Sequence, residues 1–146
     1  MTMKYYSTNK TAPKASLEEA VIHGLAPDRG LYMPEVIQKL PAEFFQQLDK
    51  LSLQEIAFTV ANSLFGQDIE VDVLHTIIQE TFSFDIPAIK VEDNIYSLEL
   101  FHGPTLAFKD VGARFMARLL QYFIRHKGQQ QINVLVATSG DTGSAV

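Results

Sequence analysis

Ile132-Asn-Val-Leu-Val-Ala-Thr-Ser-Gly-Asp-Thr-Gly143 is the stretch whose pattern decides the fold class. Ile132 to Ala137 is a nearly continuous apolar run, the composition of a strand buried on both faces of a parallel sheet. Thr138 to Gly143 mixes glycines with hydroxyl and carboxylate side chains, so the strand should turn directly into a helix. Upstream, Asp110 to Lys127 carries Phe115, Leu119, Tyr122 and Phe123 on one helical stripe, with Gly128 behind it. Earlier still, Ala88–Val91 and Ile95–Leu100 flank Glu92-Asp93-Asn94, the pattern of two strands and a turn. Strand, helix, strand, glycine-containing loop and helix start amount to the beginning of an open α/β domain.

Before Pro87 the texture is different. Lys4–Thr8 is a short strand candidate. Ser16-Leu-Glu-Glu19 and Ser52-Leu-Gln-Glu55 have the spacing of a capping box, in which the serine accepts from the N3 amide and the glutamate reaches back. The helix after Ser16 should close at Gly24, and the one after Ser52 at Gly66. Leu25-Ala-Pro-Asp-Arg-Gly-Leu-Tyr-Met-Pro34 carries prolines and a glycine, and must be irregular or extended. Pro41 suits the first turn of a helix running to about Lys50. Ile69–Phe82 puts Ile69, Val73, Ile77 and Val71, Leu74, Ile78 on one broad apolar face. A mostly helical N-terminal domain over residues 1–84 and the start of the α/β domain over residues 85–146 are the expected organisation.

The 146 residues hold 12 Lys and Arg against 17 Asp and Glu, a formal charge of −5. That balance argues against a nucleic-acid binder, because phosphate recognition needs clustered cations. There is no cysteine, which excludes disulfides, thiolate metal sites and cysteine nucleophiles. Apolar runs such as Val134–Ala137 stop far short of the ~20 residues of a membrane span. Met1-Thr-Met-Lys-Tyr-Tyr6 has neither the apolar core of a signal peptide nor an Arg-rich transit pattern, which makes the cytoplasm the default location. The sequence stops just as its last helix begins, as a fragment would.

Two constellations could carry chemistry. The first is the turn Thr138-Ser-Gly-Asp-Thr-Gly143, where backbone amides at a helix start, two glycines and the hydroxyls of Ser139 and Thr142 could cradle a small anion such as a carboxylate. It is neither a Walker loop nor a dinucleotide fingerprint. Asp141 would repel an anion, so a hydroxyl or a protonated nitrogen is its more natural partner. The same residues equally suit an ordinary strand–helix turn whose Ser, Asp and Thr cap the helix. The second is Lys109, at the end of a proline-containing loop and among apolar Phe101, Leu106, Ala107 and Phe108. Most lysines are solvated surface charges. A free lysine of pKa ~10.4 is neutral in about one molecule in 2,500 at pH 7, and a helix terminus shifts that by less than one unit. Position alone does not make Lys109 a nucleophile; condensation with an aldehyde cofactor would. His23, His75, His102 and His126 lack metal-ligand spacing, so no metal site is expected. His102 lies near Lys109, as a ligand contact or as a plain loop residue.

Phe101-His-Gly-Pro-Thr-Leu-Ala-Phe-Lys-Asp110 and Ala137-Thr-Ser-Gly-Asp-Thr-Gly-Ser144 resemble two signatures of the threonine synthase family. These are fold-type-II, tryptophan-synthase-β-like enzymes that depend on pyridoxal phosphate. Ser16 to Pro34 also resembles the extra helical N-terminal domain of one threonine synthase subclass. The resemblance implies a truncated open sheet and makes Lys109 the catalytic residue that joins the cofactor aldehyde and then shuttles protons between substrate carbons. It implies that Ser139, Gly140, Thr142 and Gly143 hold the substrate α-carboxylate. Asp141 stands where many fold-type-II enzymes have an Asn that contacts the cofactor's ring hydroxyl, a departure expected in this subclass. The implied reaction converts O-phosphohomoserine and water to threonine and phosphate.

By the same resemblance, the loop for the cofactor phosphate and the residue facing the pyridine nitrogen lie outside these residues. The chain alone should therefore bind pyridoxal phosphate weakly and turn over nothing. Its cut sheet and uncovered helix faces predict self-association. Two alternatives remain: a threonine-synthase-like phospho-lyase that releases an amine or keto acid, and a non-catalytic interaction module in the first ~82 residues, which an exposed stripe on the Ile69–Phe82 helix would favour.

Overall fold

A computed structural model describes residues 2–126, 128 and 133–146. The chain divides into two compact units, Met1–Ile78 and Gln79–Val146.

In the first unit, β1 (Tyr5–Ser7) pairs antiparallel with β2 (Tyr32–Pro34), Tyr6 opposite Met33. The proline-bearing stretch thus yields a strand, because its irregular part closes early: Ala26 N–H donates to the Gly30 carbonyl at 3.0 Å, and Leu25 bridges to Leu31. Between the strands runs α1 (Leu17–His23), whose Ser16 and Glu19 form both bonds of the capping box. Gly24 ends it at φ +71°, a conformation that favours glycine. The helix expected from Pro41 to Lys50 is broken. It forms α2 (Ala42–Gln46), leaves helical geometry at Gln47, and resumes as a 3-10 turn over Leu48–Lys50. None of its residues is buried, so no packing holds so short a helix together. The second capping box, Ser52 with Glu55, opens α3 (Leu53–Phe65).

Helix α4 (Val71–Thr81) buries Leu74, Ile77 and Ile78, and Ile69 is buried just before it. Val71 does not share that face and is 57% exposed. A carboxylate holds the first unit's loops. Asp28 accepts from Ser7 Oγ at 2.5 Å, from the amides of Gly30, Thr11 and Ala12 at 3.0, 3.0 and 2.9 Å, and from Thr11 Oγ1 at 2.9 Å. The Ser7 hydroxyl and these amides hold its carboxyl well below the usual carboxylate range, against the opposing effect of desolvation. Gly30 permits the approach: an added Cβ would run into Ser7 Oγ and lie 2.8 Å from the Asn9 amide.

The second unit contains a hairpin of β3 (Ala88–Glu92) and β4 (Ile95–Leu98), with Ile89 opposite Ser97. The register slips between Lys90 and Glu92, a bulge that leads into Asn94 at φ +64°. Every residue of both strands is exposed. Then follow α5 (Asp110–His126), with Leu119 and Phe123 buried, and the short α6 (Asp141–Ala145), which touches α5.

The expected buried parallel strand is corrected. Asn133–Ala137 pairs with no strand among the described residues, and Leu135 is 95% exposed; Ile132 and Lys127 lie outside those residues. Apolar composition marks a segment able to be a sheet centre, but a strand exists only through ladder bonds to neighbours. The sheets among the described residues are two antiparallel pairs. No described helix is long and apolar enough to cross a membrane.

Candidate active site

Lys109 is the residue immediately before α5, and its carbonyl accepts the helix's first bond, from the Ala113 amide at 2.9 Å. It is half-buried, and its Nζ lies 4.5 Å from the centroid of the Phe108 ring. Among the described residues it forms no ion pair. The loop that carries it is tightly tied. Leu106 N–H donates to the Gly103 carbonyl at 3.1 Å, and Asp110 N–H to the Ala107 carbonyl at 3.0 Å. Asp110, only 1% exposed, accepts from the Thr105 amide at 3.0 Å and from Thr105 Oγ1 at 2.6 Å. Bonds to a buried carboxylate are strong and costly to lose. Gly103 makes room for it, since an added Cβ would clash with the Asp110 carboxylate and sit 2.8 Å from its Cβ.

Helix α5 is anchored from the side. Arg114 donates to the Glu80 carbonyl and to Ser83 Oγ, the latter at 2.8 Å, and its guanidinium lies 5.9 Å from the centroid of the Phe84 ring. Arg118 pairs with the Glu80 carboxylate at 2.6 Å.

The turn before α6 is open by comparison. Ser139, Gly140, Asp141 and Gly143 are exposed, and Thr142 is half-buried. Gly140 has φ +150°, a backbone that side-chain-bearing residues rarely adopt, with open space where a Cβ would project. Its amide donates to Thr138 Oγ1 at 3.0 Å, so that cradle amide is already engaged. At Gly143 an added Cβ would sit 2.8 Å from Thr138 Cγ2, which is the close approach that position needs. Asp141 begins α6 without capping it through its side chain. The two sequence-predicted groups, Lys109 and residues 139–143, thus flank two helices that touch.

His102 is engaged elsewhere. Its Nε2 lies 2.7 Å from Glu99 Oε2, and its ring stacks on Phe101 at 4.8 Å. His75 is exposed with its ring 5.1 Å from that of Phe58; the His126 side chain lies outside the described residues. Sequence reasoning missed Asp110, Thr105 and Gly103. The five-residue gap from Thr105 to Asp110 matches no local capping pattern, so only the folded loop reveals the bond.

Residues 4–82 match the family model described as the threonine synthase N terminus. The chain belongs to the threonine synthase family. Threonine synthase of Haemophilus influenzae is 42% identical over 144 residues, which cover 99% of this chain and 33% of that protein. The crystal structure of threonine synthase from Escherichia coli superposes with a TM-score of 0.88 at 34% identity, over 98% of this chain and 33% of its own. The PLP-bound threonine synthase of Brucella melitensis gives a TM-score of 0.82 at 36% identity, over 87% and 28%. The chain therefore spans about a third of the length of these family members.

Proposed function

We propose that this chain is the N-terminal third of a cytoplasmic threonine synthase of threonine biosynthesis, a pyridoxal-phosphate-dependent carbon–oxygen lyase. It would convert O-phospho-L-homoserine and water to L-threonine and phosphate. The observation that carries this is a lysine amine with no carboxylate partner among the described residues, presented at the start of α5 by a loop fixed on both sides. We assign residues 1–84 to a helical N-terminal domain and residues 85–146 to the start of the catalytic domain. A free interaction module would want an exposed stripe on α4, and Leu74, Ile77 and Ile78 are buried.

The donor set fits the cofactor. Lys109 supplies an amine to its aldehyde, and Asp141 a carboxylate to its ring hydroxyl. Pyridoxal phosphate, when bound, provides a ring that delocalises electrons released at the neighbouring substrate carbons. Lys109 Nζ would hold the cofactor and, once free, would remove and return protons at the substrate carbons. Ser139, Gly140, Thr142 and Gly143 would orient the substrate through its α-carboxylate, and the exposure of Ser139, Gly140 and Gly143 leaves that turn open to a ligand. Remaining contacts come from outside these residues, so residues 1–146 alone bind the cofactor weakly and release no phosphate. Alone, they also self-associate through the exposed Val91, Tyr96 and Leu98 of the hairpin and through Leu135.

The test is borohydride trapping of the full-length protein with pyridoxal phosphate, followed by peptide mass spectrometry. The expected adduct is on Lys109 and disappears in Lys109→Ala. An adduct on another lysine, or none, refutes the assignment.

A further inference from the structure

Asp110 is not an ordinary acidic residue in the first turn of a helix. Such carboxylates face solvent and interact with nearby amides of the same helix. Asp110 is 1% exposed and points back across the loop to a residue five positions earlier. Both of its bonds come from Thr105, one from the amide and one from the hydroxyl. Gly103 is compact because anything larger would occupy the place of that carboxylate. Between Thr105 and Asp110, Leu106 sits at φ +59°, a region that bulky side chains rarely adopt and that persists only where the surroundings enforce it. Lys109 is the one residue of this closed loop whose side chain ends in a group able to react with an aldehyde. Its backbone is tied into the loop and the first turn of α5, and its Nζ lies 4.5 Å from the centroid of the Phe108 ring.

We propose that Asp110 and Thr105 form a clamp that positions Lys109, with Asp110 a positioning residue that acts through the loop and not on the substrate. This rests on the assignment of Lys109 as the cofactor lysine. The clamp works by geometry. Asn at position 110 can keep it, its Oδ1 accepting from the Thr105 amide and its Nδ2 donating to Thr105 Oγ1. Val at position 105 cannot, because it has the shape of threonine without the donor.

The experiment compares T105V, T105S and D110N with the wild type in the full-length protein. Three readouts are taken: the rate of pyridoxyl trapping at Lys109, kcat and KM for O-phosphohomoserine, and amide hydrogen exchange of the loop in the cofactor-free protein. T105V is expected to speed loop exchange, slow trapping, and lower kcat by about 10–100-fold while KM changes less than about twofold, as displacement of a reacting group does. T105S and D110N should stay near the wild type in all three. If T105V fails to fold, the pair T105S and D110N decides alone: both near the wild type supports a geometric clamp. D110N as defective as a lysine variant, or T105V unchanged in exchange and trapping, overturns it. Absence of trapping at Lys109 in the wild type instead removes the functional assignment, and a T105V-specific rise in loop exchange would then still establish the clamp.

Discussion

Two carboxylate knots organise this chain, one in each unit, and they are built alike. Asp28 and Asp110 each gather a hydroxyl and a backbone amide from one threonine earlier in the chain, Thr11 in one case and Thr105 in the other. Each also has a nearby glycine, Gly30 or Gly103, whose missing Cβ lets the knot close. The difference lies in what is left over. Asp28 accepts five bonds that join the loop after β1 to the turn before β2. It is a closed structural joint. Asp110 accepts from a single residue and leaves the neighbouring Lys109 amine without an ion partner among the described residues. The same device that closes a fold in one place holds the loop bearing a lysine amine in the other.

The largest expected effect separates the basic residues next to the two carboxylates. In the full-length protein, Lys109→Ala should lower turnover by roughly 10²–10⁴-fold from the acid–base role alone and leave the melting temperature unchanged. Arg29→Ala, beside Asp28, should leave turnover unchanged; a comparable loss there would break the contrast. Asp28→Ala should next produce the largest fall in melting temperature of the variants considered, because three amides and two hydroxyls lose their acceptor together. Its folded carboxyl is held below the unfolded value of about 3.9, so the stabilisation is full above pH ~4 and disappears as the pH falls further. Asp28→Asn should accordingly flatten the acid limb of a stability-versus-pH curve.

Gly30→Ala and Gly103→Ala should each cost about 1–3 kcal/mol by denaturant unfolding, as overpacking does. Only Gly103→Ala should also slow trapping at Lys109; equal trapping in both would erase the distinction. The smallest change is Ser52→Ala, about 1 kcal/mol through loss of a helix cap far from either knot. It should shift the denaturant midpoint and nothing else.

Much of the molecule was legible before folding was considered. Both capping boxes, the Gly24 terminus, the hairpin around Asn94 and the stripe of α5 involve residues within a few positions of each other, where backbone geometry dictates the outcome. Lys109 and the turn 139–143 stood out through motif composition for the same local reason. The break at Gln47, the exposure of Val71 and the unpaired run Asn133–Ala137 did not, because burial and ladder bonding depend on neighbours distant in the chain.

The amino-acid order by itself determined where helices start and which lysine is singled out, since those depend on short-range bonds and side-chain chemistry. Only the tertiary structure decided that Asp28 and Asp110 would be the knots. A carboxylate's partners are whichever donors the fold delivers to it, and Ser7 reaches Asp28 across 21 residues.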